Sequence, residues 1–305
     1  MTKTKVTQSA PTKLPLAVSH PDKVFWPEEG YTKLDLIEYY NAIFPHLLPY
    51  VKDRMLSLER CPDGMRGECF FQKQRPEGMP PRTPTKRIAH IDDPGKFTDY
   101  VVGGSLLTQL SLANLGCIAV HIMASRAMSP RQPDWVCFDI DPESGKFSDA
   151  ARAGLHIKAA LDHLKLVSFA KTSGSRGLHV LVPIRTGPDA DEVLTFAETF
   201  VARVAAAHPN VLTVEHSVAA RRGRVYLDPF RNGFGQTVVA PYSVRRREKA
   251  PISTPLEWRE VTPTLVPSDF NLKNFAKRLK CADPWREFFQ NRQSLKDAAL
   301  LLTKL

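Results

Sequence analysis

The sequence predicts an α+β fold, a central layer of strands with helices packed around it, and three stretches carry that expectation. Residues 135–142, Trp-Val-Cys-Phe-Asp-Ile-Asp-Pro, are rich in β-branched and aromatic side chains and closed by a proline, the composition of a buried strand. Residues 189–207 set Val193, Phe196, Phe200 and Val204 at helical spacing. Residues 225–228, Val-Tyr-Leu-Asp, repeat the first pattern, an alternating strand that ends in an acid before Pro229. With 43% hydrophobic residues over 305 positions there is material for one large core, so residues 15–305 are expected to form a single domain behind a disordered, Thr/Lys/Ser-rich tail at 1–14.

The charge balance narrows the class. Forty-two Lys and Arg against 32 Asp and Glu leave a net charge of +10, the electrostatic footprint of a nucleic-acid binder, although anionic lipid and acidic proteins attract such a surface too. No stretch approaches the ~18 consecutive apolar residues of a membrane span, and the N-terminus lacks a secretory core, so a cytoplasmic protein with no membrane contact is expected. Cys61, Cys69, Cys117, Cys137 and Cys281 are scattered without a C-x-x-C pair, which argues against a zinc module and against a disulfide framework.

Elements follow in order. Residues 21–27 read as a short extended segment before a Glu-Glu-Gly turn, and Thr32 with Asp35 forms a capping-box pattern ahead of Leu36, Ile37, Tyr40, Ile43 and Phe44 at helical spacing; Pro45 and Pro49 should limit or kink that helix. Lys23 and Lys33 bracket the turn and, with free amides, could hold a phosphate; the alternative is two solvated lysines. A strand at 55–58, a Pro-Asp-Gly turn and a strand through Phe70 and Phe71 come next. Adjacent aromatics on a strand face opposite sides, so one can enter the core while the other offers a stacking platform. Residues 74–87 read as an exposed basic loop, 105–115 as a helix, 117–123 as a buried strand carrying His121, 126–134 as a loop and 147–164 as a crossover helix. Residues 270–279 and 285–302 read as two late helices.

The chemistry lies in the acids and the loop between them. Side chains alternate along a strand, so Asp139 and Asp141 point to one side and Ile140 to the other. Two carboxylates aimed at one point repel unless protons or cations separate them, and hard oxygen donors favour Mg²⁺ or Mn²⁺; an acidic strand end facing water is the alternative. The loop Thr172-Ser173-Gly174-Ser175-Arg176-Gly177 enters a strand at Leu178-His179, with amides and hydroxyls suited to phosphate oxygens and with His179 opposite Leu178, Val180 and Val182. Arg224, Tyr226 and Asp228 share a face, and arginines cluster at 221–231 and 245–247. Three strand-borne carboxylates with a cationic loop suit phosphoryl or nucleotidyl transfer by two metals. No G-x-S-x-G elbow competes.

At these residues the chain resembles the archaeo-eukaryotic primase-polymerase superfamily, most closely the polymerase domain of bacterial ligase D and its stand-alone relatives. The resemblance runs from about His20 to Glu287 through Pro21-Asp22-Lys23 with Lys33, Phe70-Phe71-Gln72-Lys73, Phe138-Asp139-Ile140-Asp141-Pro142, residues 172–179, Asp228 and Ala240-Pro241-Tyr242-Ser243-Val244-Arg245. It implies mostly antiparallel sheets with an RNA-recognition-like module, and a template-dependent polymerase that prefers ribonucleotides and fills short gaps in non-homologous end joining. It further implies that Asp139, Asp141 and Asp228 hold two Mn²⁺ or Mg²⁺ ions, and that Ser173, Arg176, His179, Arg221 and Arg245, with His121 and Arg60, contact the nucleoside triphosphate. Lys23 and Lys33 would hold a 5′-phosphate at the edge of a DNA gap or break, and Phe70 and Phe71 would stack near template bases. Ku and a separate ATP-dependent DNA ligase are the implied partners, in a nucleoid setting. Three departures stand out: Arg176 replaces a lysine common in that loop, Gly177 stands where distant primases carry a serine, and Glu59 lies beside Arg60 where a basic neighbour is common. Two other classes compete: a D-x-D glycosyltransferase, which leaves Asp228 and the basic loop unexplained, and a non-catalytic single-strand binder, which three intact acids disfavour.

Overall fold

The computed structural model describes residues 14–90 and 93–303. The tail expected at 1–14 lies outside these residues but for Leu14, which packs against the core. In chain order the strands are β1 (Val24–Trp26), β2 (Tyr31–Thr32), β3 (Leu56–Arg60), β4 (Phe70–Gln72), β5 (Thr85–Ala89), β6 (Phe97–Val101), β7 (Cys117–Ile122), β8 (Ser125–Arg126), β9 (Ser129–Pro133), β10 (Trp135–Pro142), β11 (Phe169–Thr172), β12 (Leu178–Pro183), β13 (Leu212–Thr213), β14 (Val225–Asp228), β15 (Val238–Val239) and β16 (Pro255–Leu256). The helices are α1 (Lys33–Val51), α2 (Leu106–Asn114), α3 (Phe147–His163), α4 (Ala190–Ala207), α5 (Val218–Arg221), α6 (Phe275–Arg278) and α7 (Leu295–Leu302).

Two sheets carry the architecture. One has the order β13-β14-β10-β12-β11-β16, antiparallel except for the β13–β14 pair; the other is antiparallel with the order β15-β7-β3-β4. The alternation along β10 explains how they sit. Val136, Phe138 and Ile140 join Val180 and Val182 of β12 in a core covered by α3 and α4, where Phe138 and Phe200 have ring centroids 4.7 Å apart. Trp135, Cys137 and Leu181 point the other way, into the core shared with the second sheet, α1 and α2. Asp139 and Asp141 continue that second face past the point where apolar packing ends, so the acids meet a cleft instead of a core. Gly154 allows α3 to lie close on β12, since a Cβ there would come within 2.3 Å of Leu178.

Several expectations change on inspection. Helix α1 starts at the Thr32–Asp35 capping box but runs through Pro45 and Pro49 to Val51. The two prolines are four residues apart on one exposed stripe, where water can satisfy the carbonyl that each ring releases. Residues 126–134 are not a plain loop: they contain most of the β8–β9 ribbon. The continuous helix expected over 285–302 is broken. Trp285 and Phe288 instead stack at 4.9 Å in the core, Trp285 donates to the Ala170 carbonyl at 2.9 Å, and Gln293 bonds the backbone of Val167 and Pro183, so only the last turns are helical. The expected absence of disulfides is corrected at one place, where Cys61 and Cys69 are paired. They flank the turn between β3 and β4, which returns the chain on itself and brings residues eight apart together. Among the described residues no helix is long and apolar enough to cross a membrane.

Candidate active site

Strand register assembles the centre. Asp228 of β14 pairs with Asp139 of β10, Asp139 with His179 of β12, and His179 with Lys171 of β11, so four polar side chains stand in one row across four neighbouring strands. His179 Nε2 lies 3.3 Å from Asp139 Oδ1, and its Nδ1 is 2.9 Å from Lys171 Nζ. Arg231, on the 3₁₀ turn after β14, places Nε 3.2 Å from Asp139 Oδ2 and 3.4 Å from Asp228 Oδ2. The Phe230 N–H donates to Asp228 Oδ1 at 2.8 Å. Asp141, two residues along the same face, is exposed at the cleft, with Arg221 Nη1 3.7 Å from its Oδ2.

The electrostatics follow from burial and from these partners. Burial works to raise the Asp139 carboxyl, but His179 and Arg231 outweigh it and hold the group well below the usual range. Burial raises the carboxyls of Asp141 and Asp228, and the charge on Asp139 adds to both. Burial also pushes Lys171 down to about 7 and, with the Lys171 charge, pushes His179 down to about 4. Three oxygen-donor side chains whose charges oppose one another suit a hard divalent cation. Among the described residues no three acid, histidine or cysteine side chains close around one point, because Arg231 stands between Asp139 and Asp228 while Asp141 leans outward. The chemistry of the donors, three carboxylates whose charges oppose one another, nonetheless suits such an ion, which would share Asp139 and Asp228 with Arg231.

Above the acids lies a cleft of about 480 Å³ between the two sheets. Ser173, Arg176 and His179 line it from the first sheet and its loop, Phe71 and His121 from the second, and Arg245 lines it as well. Ser173 Oγ accepts from the amides of Ser175 and Gly177 at 3.2 and 3.1 Å and so shapes the loop. Gly177 explains one departure from the distant primases: a Cβ there would come within 2.6 Å of the Ile140 carbonyl. His121 Nε2 and Arg245 Nε are buried without a partner and both residues line the cleft, polar atoms left for something in it to satisfy. Burial and then Arg245 hold His121 well below its ordinary value, so it stands neutral there.

The remaining predicted residues are placed elsewhere. Arg60 does not reach the cleft. It lies at the far end of β3, where it donates to the Leu115 carbonyl and to Gln72 and stands 5.5 Å from the Phe70 ring. Phe70 and Phe71 are both exposed, at 41% and 62%, because β4 is an edge strand with no layer over either face. Only Phe71 borders the cleft, edge-on to His121 at 5.2 Å. Lys23 and Lys33 are neighbours at the start of α1, but the amides there are taken: Lys33 N–H donates to the Lys23 carbonyl, Leu34 N–H to Pro21, and Asp35 N–H to Thr32 Oγ1. Any phosphate would rest on the ammonium groups, of which Lys33 bonds Ser19 and Lys23 pairs with Asp63. Sequence reasoning missed Lys171 and Arg231. Arg231 closes the arginine cluster at 221–231 and Lys171 directly precedes the loop at 172–177, but only strand register places Lys171 in the acid row, and only the turn after β14 brings Arg231 onto it.

Antiparallel sheets holding a carboxylate row under a cationic cleft define a primase-polymerase type of core. Residues 32–285 match the family described as LigD, primase-polymerase domain, and the chain belongs to that family. It is 29% identical over 305 residues to the bifunctional non-homologous end joining protein LigD of Bacillus subtilis (strain 168), covering 97% of this chain and 48% of that protein. It is 31% identical over 291 residues to the multifunctional non-homologous end joining protein LigD of Pseudomonas aeruginosa, covering 92% of this chain and 34% of that protein. The chain thus spans half or less of the length of these relatives. Its fold matches the polymerase domain from Mycobacterium tuberculosis ligase D in complex with DNA, with a TM-score of 0.84 and 24% identity, covering 92% of this chain and 100% of that one. The α+β primase-polymerase architecture and the family expected from the sequence are both borne out.

Proposed function

We propose that the chain is a template-directed nucleotidyltransferase that extends DNA primers at short gaps and breaks, with ribonucleotides preferred. The observation that carries this reading is the register pairing of Asp228 with Asp139 beneath a cleft of cations. Asp139, Asp141 and Asp228 would hold two divalent cations, Mn²⁺ or Mg²⁺. Such ions, when bound, lower the barrier to attack by a primer 3′-hydroxyl and neutralise the leaving pyrophosphate. Arg176 and Arg245 suit the triphosphate, His121 offers an unpartnered polar atom to the nucleotide, and Arg221 restrains Asp141. The new bond forms between the primer oxygen and the α-phosphorus as the α–β bond breaks.

Lys23 and Lys33 would receive the downstream 5′-phosphate, and Phe71, with Phe70 beside it, would stack on template bases. Residues 15–305 act as one unit in this reading. The relatives are named for non-homologous end joining, which supports work on broken DNA ends; Ku, a separate ligase and a nucleoid setting are further parts of the proposal. The test is primer extension on 5′-phosphorylated gapped DNA with Mn²⁺ or Mg²⁺ and each nucleotide type. Extension strongest with ribonucleotides and Mn²⁺ is expected; no extension under any condition would overturn the reading, and a deoxyribonucleotide preference would overturn its sugar choice.

A further inference from the structure

We propose that Lys171 is a positioning residue: it fixes His179 in the tautomer that carries its proton on Nε2 and so aims that N–H at Asp139. A fully buried lysine is uncommon without an acid beside it, and Lys171 has none within salt-bridge distance among the described residues. Its ammonium nitrogen is 2.9 Å from His179 Nδ1 and 2.7 Å from Ser253 Oγ.

The donor and acceptor roles along this row can be assigned in turn. Ser253 spends its one hydroxyl proton on the Thr172 carbonyl at 2.8 Å, so toward Lys171 it can only accept. At the other end the Asp139 carboxylate accepts only, and His179 Nε2 faces it at 3.3 Å, so the proton of a neutral ring belongs on Nε2. Nδ1 is then a bare lone pair, and Lys171 donates to it. Each contact from Thr172 through Ser253, Lys171 and His179 to Asp139 thereby pairs one donor with one acceptor. The opposite tautomer would set two lone pairs against each other at Asp139, and a doubly protonated ring would set an N–H against the lysine N–H groups.

The strand ladder makes this arrangement rigid. Lys171, His179 and Asp139 are direct cross-strand partners on β11, β12 and β10, so the lysine cannot leave the row without breaking register. Asp139 Oδ1 consequently faces His179 Nε2 at 3.3 Å, while its Oδ2 accepts from Arg231 Nε at 3.2 Å. Without Lys171, Nδ1 is free to take the ring proton, Nε2 then confronts the carboxylate, and the ring turns away. Lys171 acts on Asp139 through His179, in the way that outer hydrogen-bond partners orient the groups that hold a metal.

The effect on catalysis rests on the polymerase reading; the tautomer does not. The test is ¹⁵N NMR of the full chain labelled at histidine, with His179 assigned by the signals lost in His179→Asn. The wild type is expected to show Nε2 protonated and Nδ1 bare. Lys171→Met should show mixed or reversed tautomers at His179 and a fall in nucleotide addition of about 10- to 100-fold, carried by kcat. Lys171→Gln, which restores an N–H donor, should recover part of both. A wild-type ring protonated on Nδ1 or on both nitrogens would overturn the proposal, and so would Lys171→Met with the wild-type tautomer; the wild-type spectrum decides even where the variant fails to fold. A wild-type chain with the expected tautomer and no nucleotide addition would support the assignment and overturn the polymerase reading.

Discussion

Asp228 stands directly opposite Asp139 in the β10–β14 ladder, and Arg231, three residues beyond Asp228, lies within 3.4 Å of both carboxylates. Two acids at one ladder position repel, and the guanidinium relieves that repulsion from within the chain. Arg231→Ala should lower stability by about 1 kcal/mol in metal-free buffer, a modest figure because its side chain is 41% exposed and partly screened. Added Mn²⁺ should then raise the Tm of the variant more than that of the wild type, since the ion takes over the neutralising role. Equal rises in thermal-shift measurements would show that ion and guanidinium do not share the carboxylates.

Phe71 is 62% exposed and touches His121 edge-on, so its ring contributes little to the core. Phe71→Ala should leave the Tm unchanged and weaken binding to a single-stranded template overhang by about 1–3 kcal/mol, the range measured for stacking one base on an aromatic ring. Fluorescence anisotropy with an overhang substrate checks this; an unchanged affinity would remove Phe71 from the template path.

Lys23 is partly exposed and pairs with Asp63, whereas Lys33 is buried and anchored on Ser19. Lys23→Ala should weaken binding to gapped DNA only when the downstream end carries a 5′-phosphate. Equal loss on phosphorylated and hydroxyl ends would mean a general charge effect. Both affinities should fall steeply with salt.

Lys171 also predicts a pH dependence of stability. Burial lowers its folded-state pKa to about 7 from the ordinary 10.5, so between those values the unfolded chain binds more protons than the folded one. Stability against denaturant should therefore rise with pH across that window through this group. Lys171→Met should remove the rise, and the difference between wild type and variant, measured by urea unfolding from pH 7 to 10, isolates it from other titrating lysines and tyrosines. Parallel pH profiles would contradict the burial of a titrating lysine.

Much of the fold was legible because local chemistry and burial agree. The 135–142 strand, the capping box at Thr32, α3 and α4 are written in short-range patterns of apolar residues and caps. The late segment was not legible, since Trp285 and Phe288 have the spacing of a helix face but are drawn into the aromatic core, where Phe288 opens a short 3₁₀ turn. Strand alternation allows one of Phe70 and Phe71 to enter the core, and only the edge position of β4 shows that both stay exposed. In the site, the acids could be named from strand ends, but which residues meet them depends on register between strands far apart in sequence. Lys171 emerges only from that pairing, Arg231 only from the turn that folds back over the paired acids, and Arg60 falls at the far end of its strand, away from the cleft.

The most direct measurement is nucleotide addition by Asp228→Asn on 5′-phosphorylated gapped DNA with Mn²⁺, run beside a DNA-binding assay. Asparagine keeps the size of the side chain while removing the charge that faces Asp139. The account predicts addition reduced to the level of a metal-free control with DNA affinity retained; extension at the wild-type rate would contradict it.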